Sequence, residues 1–194
     1  SKNVISLNDV ELNKNYALVI STNGGLWRYI IGDTVKFSSL NPYRLKVTGR
    51  TKHFINVFGE EVIIENADNA ISKACFETGA EIKDYTACPI YMKSNTNGGH
   101  EWLIEFAKKP EDLNEFMKLI DSELRAINSD YDAKRTNDLT LAFPKLNVAN
   151  EGLFEKWLKS NGKLGGQHKI PRLSNNRDIM DSILKLQKGI LIDN

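Results

Sequence analysis

Three short groups of residues in this chain have the types and spacing that chemistry on a nucleotide or a phosphate needs. The first is Gly32-Asp33, which closes the run Leu26-Trp27-Arg28-Tyr29-Ile30-Ile31. A glycine lets backbone approach a ligand closely. The carboxylate beside it can accept two hydrogen bonds, the geometry offered by a vicinal diol such as a ribose, and charged bonds of this kind contribute roughly 1.5–3 kcal/mol each. The second group is Gly49-Arg50-Thr51-Lys52, whose two cations can bind phosphate. The third is Lys169, inside the glycine-rich basic run from Ser160 to Arg172 with Pro171 just beyond it. An ammonium on a flexible loop can swing onto a phosphate, or onto a carboxylate and a phosphate reacting together, where charge develops in the transition state. Each group also has a plainer reading: Gly32-Asp33 as a turn, and the cations as solvated surface.

Other chemistries lack their residues. Gly162-Lys163-Leu164-Gly165-Gly166 has neither the spacing nor the strand-to-helix setting of a phosphate-binding loop. His53, His100 and His168 lie far apart and read as structural or surface residues. Cys75 and Cys88 form no C-x-x-C pair, and no set of residues has metal-ligand spacing.

The elements that must hold these groups are legible in outline. Tyr16 to Ile20 is a short apolar run of β-formers and is expected to be a strand. Asn23-Gly24-Gly25 tolerates the positive φ of a tight turn. Leu26 to Ile31 follows as a second strand, ending at Gly32-Asp33, and Val35 to Phe37 continues extended. Asn41-Pro42 turns the chain into a third strand, Tyr43 to Thr48. A helix-free sheet of this size is marginal alone, so residues 1–48 are expected to be the C-terminal β part of a larger domain, with residues 49–53 a hinge.

From residue 54 to 194 the pattern becomes α+β. Phe54 to Ile64 suggests a strand, a turn and a strand entering a helix over Asn66 to Glu77, stopped at Thr78-Gly79. Tyr85 to Met92 and Glu101 to Phe106 read as strands. In the second, Trp102, Ile104 and Phe106 alternate with Glu101, Leu103 and Glu105, which suits one buried face. Pro110 is expected to open a helix over Glu111 to Asn128. Leu139 to Val148 reads as a strand interrupted by Pro144, Asn150 as the cap of a third helix, and Arg177 to Gln187 as the last helix.

Composition narrows the classes. With 194 residues, 26 basic and 25 acidic side chains and a net charge of +1, the chain lacks the basic excess of a nucleic-acid or anionic-membrane binder. A 41% hydrophobic fraction supports a packed core. Isolated cysteines, no apolar run of membrane-spanning length and no signal-peptide core lead to a cytoplasmic expectation.

Three segments, in order, resemble the adenylate-forming superfamily of acyl-activating ligases. Trp27-Arg28-Tyr29-Ile30-Ile31-Gly32-Asp33 is similar to its Tyr-Arg-x-Gly-Asp motif, Gly49-Arg50-Thr51-Lys52 to its Gly-Arg-x-Asp hinge segment, and Asn56-Val57-Phe58-Gly59 to the glycine turn after the hinge. The nearer likeness is to the auxin-responsive acyl-acid-amido synthetases, the Gretchen Hagen family. Its long run ending in Tyr-Arg-Tyr-x-x-Gly-Asp is matched from Tyr16 to Asp33, and its late Gln-x-Lys-x-Pro-Arg is matched by Gln167-His168-Lys169-Ile170-Pro171-Arg172.

That resemblance implies the C-terminal third of a two-step ligase, which by itself is not expected to catalyse and whose partner is the large domain upstream. A carboxylic acid and ATP, carried with Mg2+, give an acyl-adenylate and pyrophosphate. An amine, usually an amino acid, then forms an amide and releases AMP. Tyr29, Asp33 and Arg50 are thereby expected at the nucleotide, Lys169 as the catalytic lysine that meets the α-phosphate, and Lys52 near the hinge. Two departures stand out: Lys52 replaces the superfamily's hinge aspartate, and Glu60-Glu61 occupy a turn where plant members carry a lysine. A non-catalytic interaction module that kept the fold is the rival reading, and an adenylate former with a thiol acceptor a third.

Overall fold

The computed structural model describes residues 4–51, 53–92, 96–136, 140–162 and 169–192. The chain divides into two compact units, Ser1–Lys52 and His53–Asn194.

The first unit is an antiparallel meander of β1 (Asn15–Ile20), β2 (Tyr29–Leu40) and β3 (Tyr43–Arg50) in that order. The turn at Asn23-Gly24-Gly25 forms as expected. Thr22 N donates to Leu26 O at 2.9 Å, and Gly25, at φ +97°, donates to Thr22 O. The second strand differs from the sequence expectation. It starts later, at Tyr29, and runs without a break through Gly32-Asp33 to Leu40, because β3 goes on pairing with it as far as Arg50. Of the described hydrophobic side chains here, Val35 and Phe37 are the buried ones, with Phe37 edge-on to Tyr16 and Tyr43. Leu45 and Val47 on the same sheet are exposed.

The second unit is built on a sheet of β6 (Glu81–Ile90), β7 (Gly99–Lys108) and β8 (Lys145–Val148), with β7 central. β6 and β7 are antiparallel and β7 and β8 parallel. A short hairpin, β4 (Phe54–Ile55) and β5 (Val62–Ile63), precedes it and leads straight into α1 (Ile64–Thr78). Asn66 helps to start that helix by accepting from Ile63 N at 3.1 Å, and Gly79 ends it at φ +65°, the left-handed conformation that glycine adopts without steric cost.

Both faces of β7 are covered, not one. On one side Trp102, Ile104 and Phe106 pack with Ala67, Ala70, Ile71 and Ala74 of α1 and with Phe116, Ile120 and Leu124 of α2 (Leu113–Ile127). On the other, Leu103 joins Cys88, Leu153, Phe154 and Trp157 of α4 (Leu153–Ser160), and Met180 and Ile183 of α5 (Asp178–Ile192). Glu101 and Glu105, which alternate with the apolar residues and read as solvent-facing, are 3% and 5% exposed. They tolerate burial because each is partnered. Glu101 accepts from Lys145, Asn147 and Arg177, and Glu105 accepts from Gly152 N at 2.8 Å.

Helix starts also shift. α2 begins at Leu113 rather than at Pro110–Glu111, with Asp112 as its cap, accepting from Asn114 N at 2.7 Å. Gly152 at φ +72° stands where Asn150 was expected to cap α4. An additional helix, α3 (Ser129–Arg135), follows α2 at once, capped by Asn128. Leu139 lies outside the described residues, and the strand expected from there is confined to β8. No helix among the described residues is long and apolar enough to cross a membrane.

Candidate functional site

In the first unit the candidate ligand group is the paired stretch of β2 and β3 around Gly32. The register sets Asp33 opposite Arg50 and Thr34 opposite Gly49, then slips between Thr34 and Val35. Asp33 is therefore an interior strand residue beside a β-bulge, not a strand end. Bulges re-aim side chains next to sites. Gly32 takes φ +92°, and its carbonyl accepts from Thr51 N at 2.7 Å and Thr51 Oγ1 at 3.2 Å. A Cβ there would meet nothing nearer than Thr51 Oγ1 at 3.8 Å, so backbone conformation rather than space calls for glycine. Asp33 is half-buried, an environment that strengthens hydrogen bonds to a carboxylate relative to open water. Its two oxygens suit a pair of donor hydroxyls. Tyr29 begins the same strand and is 52% exposed. Arg28, just before it, holds a positive φ of +47° and donates its N–H to Ser21 Oγ. Lys52 lies outside the described residues, so the expected pivot has no geometry here.

In the second unit the candidate group is the arm that carries Lys169. Its expected glycine side, with Gln167 and His168, lies outside the described residues. Beyond the lysine the arm is fastened down. Thr86 Oγ1 donates to Pro171 O at 2.7 Å, Ala87 N to Arg172 O at 2.8 Å, and Ser174 N to Ala87 O at 3.1 Å. Ile170 and Leu173 are buried in the two cores on opposite sides of the sheet. Arg172 adds a clamp, donating from Nη1 to both oxygens of Asp68 on α1, with its guanidinium 5.4 Å from the centre of the Tyr85 ring. Tyr85 Oη donates to the same aspartate at 2.6 Å, and burial together with that carboxylate pushes the phenol pKa up. Lys169 is thus an exposed residue next to a segment fastened to β6 and α1.

The turn after the expected hinge has a core of its own. Gly59 and Glu61 both take positive φ, at +85° and +43°. Glu60 is fully buried: one oxygen accepts from Phe58 N at 2.7 Å, and the other lies 2.9 Å from His100 Nε2. Burial pushes the Glu60 carboxyl up, but the bonds from His100 and the backbone outweigh it and leave its pKa lowered. Asn128 Nδ2 reaches the Glu60 carbonyl at 3.0 Å. Glu60 is thus a buried acid that shapes the turn from inside.

Sequence reasoning missed this pair, and it missed Asp68 beside the Lys169 arm. The signal for Asp68 was present in the polar position it holds among the alanines of α1. Nothing local marked Glu60 or His100 as partners. Cys75 and Cys88 are unbridged, and burial pushes the Cys88 thiol up to about 12, away from nucleophilic use at neutral pH. Among the described residues no group of three or more His, Cys, Asp or Glu is placed to hold a metal ion.

The chain matches the GH3 family C-terminal domain over residues 65–178 and the GH3 family central domain over residues 1–50. It is 27% identical over 191 residues to the indole-3-acetic acid-amido synthetase GH3.3 of Arabidopsis thaliana, a match that covers 92% of this chain and 32% of the relative. It is 24% identical over 188 residues to the 4-substituted benzoates-glutamate ligase GH3.12 of the same plant, covering 87% and 32%. Among solved structures, GH3.15 acyl acid amido synthetase superposes with a TM-score of 0.71 at 22% identity, over 95% of this chain and 36% of that one, a likeness of fold. The chain spans about a third of the length of the curated relatives it matches. With successive family domains covering residues 1–50 and 65–178, this chain belongs to the GH3 family.

Proposed function

We propose that the protein carrying this chain is an ATP-dependent acyl-acid amido synthetase, and that these residues supply the end of its nucleotide-binding β part, its hinge at residues 49–53 and its small α+β domain. Family membership carries this reading. In the first half-reaction a small carboxylic acid attacks the α-phosphorus of ATP, its carboxylate oxygen forming the new P–O bond as pyrophosphate leaves. In the second, an amine, most simply that of an amino acid, attacks the acyl carbon and expels AMP. Asp33 accepts the two ribose hydroxyls, with Tyr29 and Arg50 beside the nucleotide. Lys169 stabilises charge on the α-phosphate as it builds, where a fixed cation lowers the barrier most. Mg2+ enters with the nucleotide as part of the substrate. Two unbridged cysteines fit a reducing, cytoplasmic setting.

The deciding experiment uses the intact protein. Lys169→Ala is expected to depress acid-dependent exchange of pyrophosphate into ATP by about 100-fold, the scale of losing one electrostatic partner in a transition state. Amide formation from a supplied acyl-adenylate should change little. Equal loss in both steps would remove Lys169 from the adenylation step. Absence of either activity in the unaltered protein, across a panel of acids and amino acids, would favour a family member that kept the fold as an interaction module.

A further inference from the structure

The first residues past the proposed hinge are tied to the end of the Lys169 arm by one side chain. β4 ends at Ile55, which is fully buried in the core beside α1. The next residue, Asn56, donates its N–H to Asn175 Oδ1 at 2.7 Å, across 119 positions of sequence. Asn56 Oδ1 in turn accepts from Glu61 N at 3.3 Å, bridging the turn that holds Gly59. Asn175 follows the arm directly, and Ser174 before it donates its N–H to Ala87 O at 3.1 Å. The Asn175 carbonyl accepts from Tyr91 Oη at 3.0 Å, so its backbone and its side chain are held by partners just beyond β6 and β4. Asn56 and Asn175 are both half-buried, where an N–H left without an acceptor is costly. β4 and β5 pair over two residues each, a ladder too short to hold this segment rigid on its own.

We propose that Asn175 is a positioning residue for Lys169: through Asn56 it couples the arm to the chain leaving the hinge, so that rotation at residues 49–53 carries the lysine to the nucleotide without slack. This role rests on the assignment of Lys169 to the first half-reaction and of residues 49–53 to the hinge. The bonds to β6 and α1 hold the arm on the body of the domain. Asn175 adds a direct tie to the segment through which the rotation enters. What Asn56 requires there is an acceptor oxygen, which aspartate shares with asparagine and leucine lacks.

The test is a double-mutant cycle on the intact ligase, with Asn175→Leu, Lys169→Ala and the two combined. Asn175→Leu should lower kcat for acid-dependent pyrophosphate exchange roughly tenfold, the scale of a slightly misplaced catalytic group, with KM for ATP unchanged. Amide formation from a supplied acyl-adenylate should change little. Added to Lys169→Ala, the same substitution should cost nothing more, because Asn175 acts through the lysine. A residue that only stabilises the fold would cost the same in both backgrounds. Asn175→Asp, which keeps the acceptor, should restore kcat to near the unaltered value. Hydrogen–deuterium exchange supplies a readout apart from activity: the amides of residues 54–61 should exchange faster in Asn175→Leu and at the unaltered rate in Asn175→Asp. Should Asn175→Leu fail to fold, Asn175→Ala is read by the same criteria. An unchanged kcat, an equal cost in the two backgrounds, or unaltered deuterium uptake at residues 54–61 overturns the proposal. Failure of Lys169→Ala to depress pyrophosphate exchange would instead remove the catalytic role of Lys169 and leave the deuterium result standing, so the two failures are read separately.

Discussion

Arg172 donates from Nη1 to both carboxylate oxygens of Asp68, at 2.9 and 2.7 Å, across 104 positions of sequence. The pair ties the arm carrying Lys169 to α1. Both side chains are partly exposed, so the ion pair is worth about 1 kcal/mol or less, and the guanidinium over Tyr85 adds about 0.5–1 kcal/mol. Arg172→Ala should therefore lower stability to urea by only about 1–2 kcal/mol. It should lower pyrophosphate exchange by tenfold or more, roughly the effect of misplacing a catalytic group by an ångström. A loss of exchange no larger than the loss of folded protein would count against the clamp.

Asp33 gives a second prediction. Asp33→Asn keeps the shape of the side chain but removes the charge and one acceptor. ATP affinity of the intact protein, measured by calorimetry, should fall by about 1.5–3 kcal/mol, the range for hydrogen bonds to a charged group. Because β2 pairs on both sides of Asp33, the variant should stay folded. Unchanged ATP binding would take Asp33 out of the site.

Acid should unfold the second unit through Glu101. Burial pushes this carboxyl up, but hydrogen bonds from Lys145, Arg177 and Asn147 outweigh it and hold its pKa down at about 2. The folded value lies below the unfolded one, so the stabilisation is fully present above about pH 4.5 and is lost as pH falls toward 2. A shift of this size is worth on the order of 3 kcal/mol. Glu101→Gln should flatten the decline in unfolding free energy between those limits, and an acid limb as steep as before would assign it to other carboxylates.

Gly98 is a packing position. A Cβ there would sit 2.2 Å from Phe58 Cζ and 2.7 and 2.8 Å from two further ring carbons. Gly98→Ala should cost about 1–3 kcal/mol, the usual range for an overpacked core, and Gly98→Ala with Phe58→Leu should recover most of it. A neutral Gly98→Ala in thermal unfolding would show that the ring moves aside freely.

Strands and helices with one regular apolar period were legible from sequence: β1, β3, β6, α1 and α2 lie where the pattern puts them, within a few residues. What failed depended on distant partners. Glu101 and Glu105 read as solvent-facing because polar residues alternating with apolar ones usually are. Arg177, Lys145 and the N-terminus of α4, which make their burial possible, come from far along the chain. The bulge at Thr34/Val35 carries Asp33 into the strand interior, and no local residue announces it. α3 is too short for its period to stand out. Asp33 and Lys169 drew notice as residue types able to bind a diol and a phosphate, but a family likeness was needed to choose them over other acids and lysines. Asp68 became visible only when the fold brought α1 and the arm together.

The arm alongside β6 has one more consequence. β6 is an outer strand of its sheet, and the arm occupies the backbone N–H and C=O of Ala87 near the middle of that edge, through Arg172 O and Ser174 N. An uncovered edge of that length is a template on which a second chain can add. Variants that pull the arm away, through Ile170, Arg172 or Leu173, are therefore expected to fail by self-association as well as by loss of chemistry. The segment that carries the lysine is thus expected to keep part of that edge from pairing with other chains as well.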